Sequence, residues 1–325
     1  MTLTGIPLPS CILLVDKSAG MTSHDVVRKL RRLLGIKRIG HAGTLDPMAT
    51  GLLIMGIGQG TKLLPYLMAH KKTYQAQVRL GMETDTLDSE GEPVQHGPVP
   101  PLSTRRIAEV LASFTGKISQ EPPVFSALKR DGVALYKRAR RGEKIEVSSR
   151  EVEAFALAAR LLDPSTLECE LVVGQGFYVR SFARDIGRAL GTFGHLAMLR
   201  RTRSGIFDVS QALNLRALEA DAAAWTSAKA ALTARTIALG AACAGLAEVV
   251  LSGQGVLDAQ HGKLLGMEAC QEGSWGEIPE HVPLALFGPG RALVAIAERK
   301  ANCIKVRRGF SPEALAGLKQ GTVSF

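Results

Sequence analysis

The sequence is poor in aromatic residues and in cysteine, and it contains no long uninterrupted apolar run. Aromatic residues make up only 5% of the chain, which disfavours broad stacking surfaces and leaves such contacts to a few placed rings. No two cysteines form a C-x-x-C pair, which disfavours a zinc site or a disulfide framework. No apolar run approaches the length of a membrane span, and no signal-peptide pattern opens the sequence. We therefore expect a cytoplasmic protein without a membrane partner.

The charge balance is the second compositional signal. The 325 residues include 40 lysines and arginines against 30 acidic residues, a formal charge of +10. Such an excess favours a polyanionic partner, because each neutralised phosphate releases counterions. A soluble basic enzyme with no such partner would have the same balance, so charge alone leaves both interpretations open.

The distribution of elements predicts two domains. Cys11 to Val15 is typical of a buried strand, residues 23–34 of a helix with a basic face, and residues 73–81 of an alternating strand. Beyond residue 249, short apolar runs alternate with glycine-containing turns, a pattern typical of a small β-barrel. We predict an α+β catalytic domain over residues 1–248 and a small β-barrel domain over residues 249–325.

The segment from Arg38 to Gly51 places one carboxylate, Asp46, between the basic helix and an apolar strand. Pro47 disfavours the α region for Asp46, and the flanking glycines allow sharp bends. We therefore expect Asp46 to be displayed on a rigid loop. An Asp-Pro turn whose carboxylate only hydrogen-bonds local backbone is the alternative.

Strand periodicity suggests positions for three more polar side chains. Tyr74 falls on the buried face of the alternating strand, towards the core or the floor of a pocket. After an apolar strand and the bend at residues 174–176, Tyr178 and Arg180 are expected on one strand face, before a helix capped by Ser181. The acidic residues after Gly81 miss the calcium-loop pattern and predict a solvated hairpin loop. They are Glu83, Asp85, Asp88 and Glu90.

The segment Gly40-His-Ala-Gly-Thr-Leu-Asp-Pro-Met-Ala-Thr-Gly51 resembles the catalytic motif of the bacterial tRNA pseudouridine synthases that act on the T-loop. The similarity covers residues 11 to about 210 in the family's order. Its other segments are Lys17–Ser23, Lys72-Thr-Tyr74 with Gly81–Gly91, Pro122–Lys129, Gly176–Ser181 and Leu199-Arg-Arg201. The segment at 253–262 and the position of the last domain resemble, more loosely, the PUA module that ends these enzymes.

This resemblance implies a mostly antiparallel mixed sheet flanked by helices, and a base-flipping isomerisation of uridine 55 to pseudouridine that needs no cofactor and no metal. Asp46 is implied as the catalytic nucleophile or base, and Arg180 as the guanidinium that keeps it ionised. Tyr74 is implied to stack on the flipped uracil, and Tyr178 and Leu199 to complete the pocket. His41 is implied to keep the target base out of its loop.

The resemblance also implies partners. Residues of about 120–150 would form a loop that grips RNA, the catalytic domain would bind the T-stem-loop of tRNA, and the last domain the acceptor stem, in a monomer without guide RNA. Two positions depart from the pattern: Ser18 replaces a usual proline, and Phe125 replaces a usual tyrosine. A non-catalytic RNA chaperone, a guide-RNA-dependent synthase and a carboxylate-based nucleoside hydrolase remain the alternatives. The version of the motif with Met48-Ala49-Thr50 favours the stand-alone enzyme over the guide-dependent type.

Overall fold

The computed structural model describes residues 10–126, 147–214, 235–272 and 275–311, with a few single positions between 129 and 143. Most of the predicted grip loop, and the end of the predicted last domain beyond residue 311, lie outside these residues. Among the described residues, no helix is both long and apolar enough to cross a membrane.

The elements alternate along the chain as expected of an α+β protein. The helices are α1 (Ser23–Leu34), α2 (Leu64–Met68), α3 (Thr104–Ser113), α4 (Val179–Ala189) and α5 (Gly253–Gln260). The strands up to the grip loop are β1 (Cys11–Lys17), β2 (Ile39–Ala42), β3 (Thr50–Ile57), β4 (Lys72–Leu80), β5 (Met82–Thr84), β6 (Pro93–His96) and β7 (Gly116–Gln120). Those from the grip loop to the end of the first sheet are β8 (Lys129–Arg130), β9 (Val133–Ala134), β10 (Arg150–Asp163), β11 (Thr166–Val173), β12 (Gly194–Ser204), β13 (Phe207–Asp208), β14 (Leu213–Asn214) and β15 (Thr236–Ala238). The last five are β16 (Ala247–Leu251), β17 (Cys270–Glu272), β18 (Pro283–Phe287), β19 (Leu293–Lys300) and β20 (Cys303–Gly309).

A large mixed sheet organises the first part of the chain. Its main path runs β14-β1-β3-β12-β4-β11-β10-β7, with β2, β13 and β15 paired at its sides. The pairs are antiparallel except β1 with β14 and β3 with β12. The parallel register places Gly51 opposite Arg201, and a side chain at Gly51 would collide with the Arg201 carbonyl. Glycine is therefore required where the catalytic-motif strand meets β12.

Helix α1 shows why its sequence folds locally as predicted. Thr22 and Asp25 form a capping box at its start, and Gly35 ends it with a φ of 68°. One helix face is buried against the sheet, formed by Val26, Val27, Leu30, Leu33 and Leu34. The predicted amphipathic helix is confirmed, and it delivers the chain directly to β2 and the Asp46 loop.

The opposite face of the large sheet is covered by the last part of the chain. A second sheet, in the order β17-β16-β18-β19-β20, sends Phe287 and Ile296 against Ile12, Leu52 and neighbouring apolar residues of the first sheet. Its strands match the predicted short apolar runs. The predicted small β-barrel is confirmed in part: the five strands form a half-barrel in the part of the chain that the structure describes.

Two long strands had no sequence prediction. In β10, exposed and half-buried positions dominate, and in β12 arginines interrupt the apolar residues, so neither shows a clean period of two. Strand β12 is nevertheless central to the site, because it lies between β3 and β4 and carries Leu199 and Arg201.

Candidate active site

The Asp46 loop is held by hydrogen bonds to two buried side chains, those of Lys17 and Ser23. The ammonium of Lys17 donates to the carbonyl oxygens of Ser18 at 3.1 Å, Met21 at 2.7 Å and Pro47 at 3.1 Å. Ser23 Oγ exchanges hydrogen bonds with the backbone of Leu45, whose amide donates to it at 2.9 Å. The carboxylate of Asp46 is thereby displayed on a rigid loop, as the sequence predicts, rather than used in a local turn.

The buried position of Lys17 also changes its pKa. Its side chain is fully buried, and burial lowers its pKa from 10.5 to about 8, against the opposing effect of the Asp46 charge. A charged lysine buried in this way is held by three carbonyl acceptors, which use all three of its N–H donors.

A cavity of about 370 Å³ opens beside Asp46, and five of the six predicted site residues line it. They are Asp46, Tyr74, Tyr178, Arg180 and Leu199. The Asp46 side chain keeps 31% of its surface exposed, whereas Arg180 keeps only 7%. The carboxylate therefore faces the cavity, while the guanidinium supports it from behind.

Arg180 connects two carboxylates from distant parts of the chain. Its Nη2 donates to Asp46 Oδ1 at 3.1 Å, and its Nε lies 2.9 Å from Oδ2 without aiming its N–H at that oxygen. Its Nη1 lies 3.4 Å from Oδ2 of Asp88 and donates to the Thr86 carbonyl at 3.0 Å. Since the arginine is always charged, Asp46 has a permanent cationic partner.

The placement of Arg180 corrects the sequence prediction. Arg180 does not share a strand face with Tyr178, because helix α4 already begins at Val179 and Ser181 does not cap it. The side-chain amide of Gln120 accepts from Tyr178 N at 2.8 Å and donates to Tyr178 O at 3.1 Å, while Ser181 Oγ donates to the Glu121 carbonyl. These tertiary contacts, which no local pattern reports, start the helix early and place Arg180 in its first turn.

The predicted solvated acidic loop is correct for Asp85 and Glu90, which are exposed, and wrong for the other two carboxylates. Asp88 and Glu83 are only 4% and 6% exposed. Asp88 Oδ1 accepts from the Thr86 hydroxyl at 2.6 Å and from the Glu90 amide at 3.1 Å, while Oδ2 faces Arg180. Glu83 accepts from Arg188 on the same helix at 2.8 Å. Asp88 is a site residue that the sequence prediction missed, and its spacing in an acidic cluster gave no signal for it.

The aromatic wall of the cavity agrees with the periodicity of β4. Tyr74 is 8% exposed and lies on the buried face of that strand. Burial raises the pKa of the Tyr178 phenol, so this group stays protonated across the neutral range. The two rings and the Leu199 side chain form an apolar part of the lining, in which Asp46 is the one carboxylate among the described residues.

Two buried cations complete the lining. Arg201, 1% exposed, donates from Nε to the Leu52 carbonyl at 2.7 Å and from Nη2 to the Gly43 carbonyl at 3.1 Å. Lys72 donates to the Met68 and His70 carbonyls, both at 2.7 Å, and burial lowers its pKa to about 8. Both cations lie close to Gly43, three residues before Asp46 in the chain.

His41 is the predicted site residue that the cavity does not include. It lies on β2, half-buried, and burial lowers its pKa, as does the Arg201 charge. Its Nδ1 atom is buried without a hydrogen-bond partner among the described residues. The neutral ring therefore stands beside the Asp46 loop, outside the wall that surrounds the carboxylate.

Known proteins similar to this chain indicate its family. Residues 31–179 match the model of the TruB family pseudouridylate synthase N-terminal domain, and residues 180–242 match that of the tRNA pseudouridylate synthase B C-terminal domain. The chain is similar to tRNA pseudouridine synthase B of Geobacter sulfurreducens, with 41% identity over 89% of this chain and 93% of that protein. It is also similar to tRNA pseudouridine synthase B of Leifsonia xyli subsp. xyli, with 40% identity over 94% of this chain and 98% of that protein.

A solved structure shares the fold. A chain in a Cbf5-Nop10-Gar1 complex superposes with a TM-score of 0.74 at 24% identity, over 96% of this chain and 88% of that one. At this identity the similarity concerns the fold alone. The two family models and the closely similar lengths of the curated relatives carry the assignment: the chain belongs to the TruB family of pseudouridylate synthases.

Proposed function

We propose that the protein converts uridine 55 in the T-loop of tRNA to pseudouridine, by flipping the nucleotide into the cavity beside Asp46. Formation of pseudouridine in tRNA is the activity of the family to which the chain belongs. The observation that carries the proposal is one partly exposed carboxylate that faces a cavity walled by Tyr74, Tyr178 and Leu199 and is held from behind by a buried guanidinium.

The reaction breaks the bond between sugar C1′ and uracil N1 and forms a bond from C1′ to C5, with transfer of the C5 proton. It has no net redox change and therefore requires no redox cofactor. We assign the nucleophile or base to Asp46 and its electrostatic support to Arg180. Tyr74 is assigned to stacking on the flipped uracil, and Tyr178 and Leu199 to retaining the freed ring.

His41 is assigned to the RNA side of the site, where it would occupy the space that the flipped base leaves. Its neutral, half-buried ring next to the Asp46 loop supports a contact with uncharged bases rather than with phosphate. The remaining assignments follow the sequence. Residues 1–248 are proposed as the catalytic domain, and residues 249–325 as a PUA-like domain that contacts the acceptor stem. A monomer in the cytoplasm stays a prediction.

The similarity to whole tRNA pseudouridine synthase B chains favours the stand-alone enzyme over the guide-dependent type. Those relatives are about 40% identical over 93–98% of their length, whereas the chain of the Cbf5-Nop10-Gar1 complex is 24% identical. Action on naked T-stem-loop RNA, with no other RNA added, is therefore expected.

The test is incubation of the purified protein with a T-stem-loop RNA, followed by mapping of pseudouridine and assay of free uracil. Wild-type protein should modify the target position, and Asp46→Asn should form no product while it binds the RNA with nearly unchanged affinity. Asp163→Asn is the matched control, because Asp163 is an exposed carboxylate at the end of β10. RNA binding without product would support the chaperone, release of uracil the hydrolase, and substantial turnover by Asp46→Asn would refute the assignment of the carboxylate.

A further inference from the structure

A second cavity, of about 330 Å³, adjoins the one that contains Asp46. Gly174 and Gln175, which connect β11 to the start of α4, line both cavities. The volume lies in the range of small-molecule sites. A molecule that extends out of the first cavity past these two residues therefore enters the second.

The floor of this second cavity is an aromatic ring in a chain that has few. Phe155 lies on β10, half-buried, and the ammonium of Lys71 lies 3.5 Å from the centre of its ring. Its Cε2 atom lies 3.7 Å from the position that a Cβ at Gly174 would occupy. The missing side chain at Gly174 leaves this ring edge accessible from the side of the first cavity.

The charges around the ring indicate which part of a nucleotide fits. Lys71 and Lys117 line the cavity, but so do Glu151 and Glu153, and Lys117 is already paired with Glu151 at 3.2 Å. Two carboxylates disfavour a phosphate at this place. They favour N–H donors, as when an acidic side chain accepts from the exocyclic amino group of a base. An aromatic face with acceptors at its rim fits a nucleobase better than a backbone phosphate.

We propose that the second cavity is a nucleobase subsite, which takes the base of a nucleotide directly adjacent to the target uridine. The base stacks on Phe155 and presents an exocyclic amino group to the carboxylates at the rim. It replaces the Lys71 ammonium over the ring, and the long, exposed Lys71 side chain moves aside towards the RNA backbone. The inference rests on the proposed function, since it needs a flipped uridine in the first cavity to bring its neighbour to the second.

The test is a double-mutant cycle in which dissociation constants are measured for each combination of protein variant and RNA variant. Phe155→Leu keeps apolar bulk but removes the aromatic face, and Phe155→Tyr keeps the face. The RNAs are a T-stem-loop and two versions with an abasic nucleotide directly 5′ or directly 3′ to the target. Stacking is worth about 5- to 100-fold in affinity, so Phe155→Leu should weaken binding of the intact RNA by that factor, and Phe155→Tyr should restore it.

The decisive quantity is the coupling between Phe155→Leu and the loss of the neighbouring base in the RNA. One of the two abasic RNAs should bind wild-type protein as weakly as the intact RNA binds Phe155→Leu, and should lose nothing more with that variant. An RNA whose base at that position lacks its exocyclic amino group should bind wild-type protein at least about 5-fold more weakly. Thermal unfolding of the variants, compared with wild type, separates loss of the stacking face from loss of the fold.

Two outcomes would overturn the subsite. The first is equal affinity of Phe155→Leu and wild type for the intact RNA, and the second is additive losses in the abasic series. Pseudouridine mapping on the wild-type reactions separates this failure from failure of the proposed function. Product without coupling refutes only the subsite, whereas coupling without product refutes only the isomerase.

Discussion

Replacement of Asp88 by asparagine tests whether Arg180 depends on both of its carboxylates. Both side chains are buried: Asp88 keeps 6% of its side-chain surface exposed and Arg180 keeps 7%. Asparagine has nearly the same shape and can still accept from the Thr86 hydroxyl and the Glu90 amide. The change therefore removes one negative charge behind the guanidinium with little change in packing.

The size of the effect follows from the geometry. Opposite unit charges 3.4 Å apart interact by about 5 kcal/mol at the effective dielectric constant of about 20 that describes protein sites. The retained hydrogen bonds hold the amide oxygen away from Arg180, so the variant places an amide nitrogen beside the guanidinium, while Arg180 keeps its contacts with Asp46, Thr86 and Phe125. We expect a loss of about 10- to 100-fold in kcat, equivalent to about 1.4–2.7 kcal/mol, because a guanidinium released from Asp88 positions the Asp46 carboxylate less well.

The assay is steady-state pseudouridine formation at a saturating concentration of T-stem-loop RNA, which gives kcat. Glu83→Gln is the matched control, because Glu83 is a buried carboxylate of the same acidic segment and pairs with Arg188 on the same helix, but neither residue lines the cavity. The control should keep the wild-type rate. Wild-type kcat in Asp88→Asn, with an unchanged melting temperature, would refute the positioning of Asp46 through Arg180 and Asp88.

Two further predictions concern the frame of the site. Burial lowers the pKa of Lys17 from 10.5 to about 8, so at a pH between these values the unfolded chain binds more protons than the folded one. The free energy of unfolding of wild type, relative to that of Lys17→Met, should therefore increase with pH in this range by up to about 1.4 kcal/mol per pH unit. Urea denaturation of both proteins at pH 8 and 9.5 measures this, and a constant difference would contradict it. Gly51→Ala should destabilise the protein by about 2 kcal/mol or more, because its φ of 100° and the Arg201 carbonyl both oppose a side chain. Gly116→Ala, with a φ of 92° and open space around it, should cost only about 1 kcal/mol in thermal unfolding, and equal losses would contradict the collision.

The sequence predicted the parts of the fold that local patterns specify. Helix α1 carries its capping residue, its apolar face and its terminal glycine within 14 residues of chain, and all three are confirmed. Strand β4 alternates cleanly, so Tyr74 was placed on the correct face. Strands β10 and β12 were missed because their neighbours in the sheet, rather than their own residues, make them strands.

The site was predictable where one motif holds its parts together, and not where tertiary contacts do. Asp46 is displayed by Pro47 and the glycines of its own segment, and its exposure towards a cavity is confirmed. Asp88 was read as solvated because acidic residues in a glycine-bounded loop usually are. Its burial depends on Arg180, 92 positions later in the chain, and no spacing within residues 81–91 records that partner.

Helix α4 shows why Arg180 could not be identified from the sequence as the partner of Asp88. Arg180, Arg184 and Arg188 follow one another at intervals of four, so all three lie along one side of the helix, and each meets a carboxylate from another residue. Only the first pairs a buried guanidinium with a buried carboxylate, that of Asp88. The acidic partners of Arg184 are 27% and 53% exposed, and Arg188 itself keeps 52% of its side chain exposed. An exposed pair contributes little, whereas a buried guanidinium must keep its carboxylates or leave an uncompensated charge. The early start of the helix at Val179 therefore has a functional consequence: it gives the first arginine of the series, and no other, a position in the wall of the cavity.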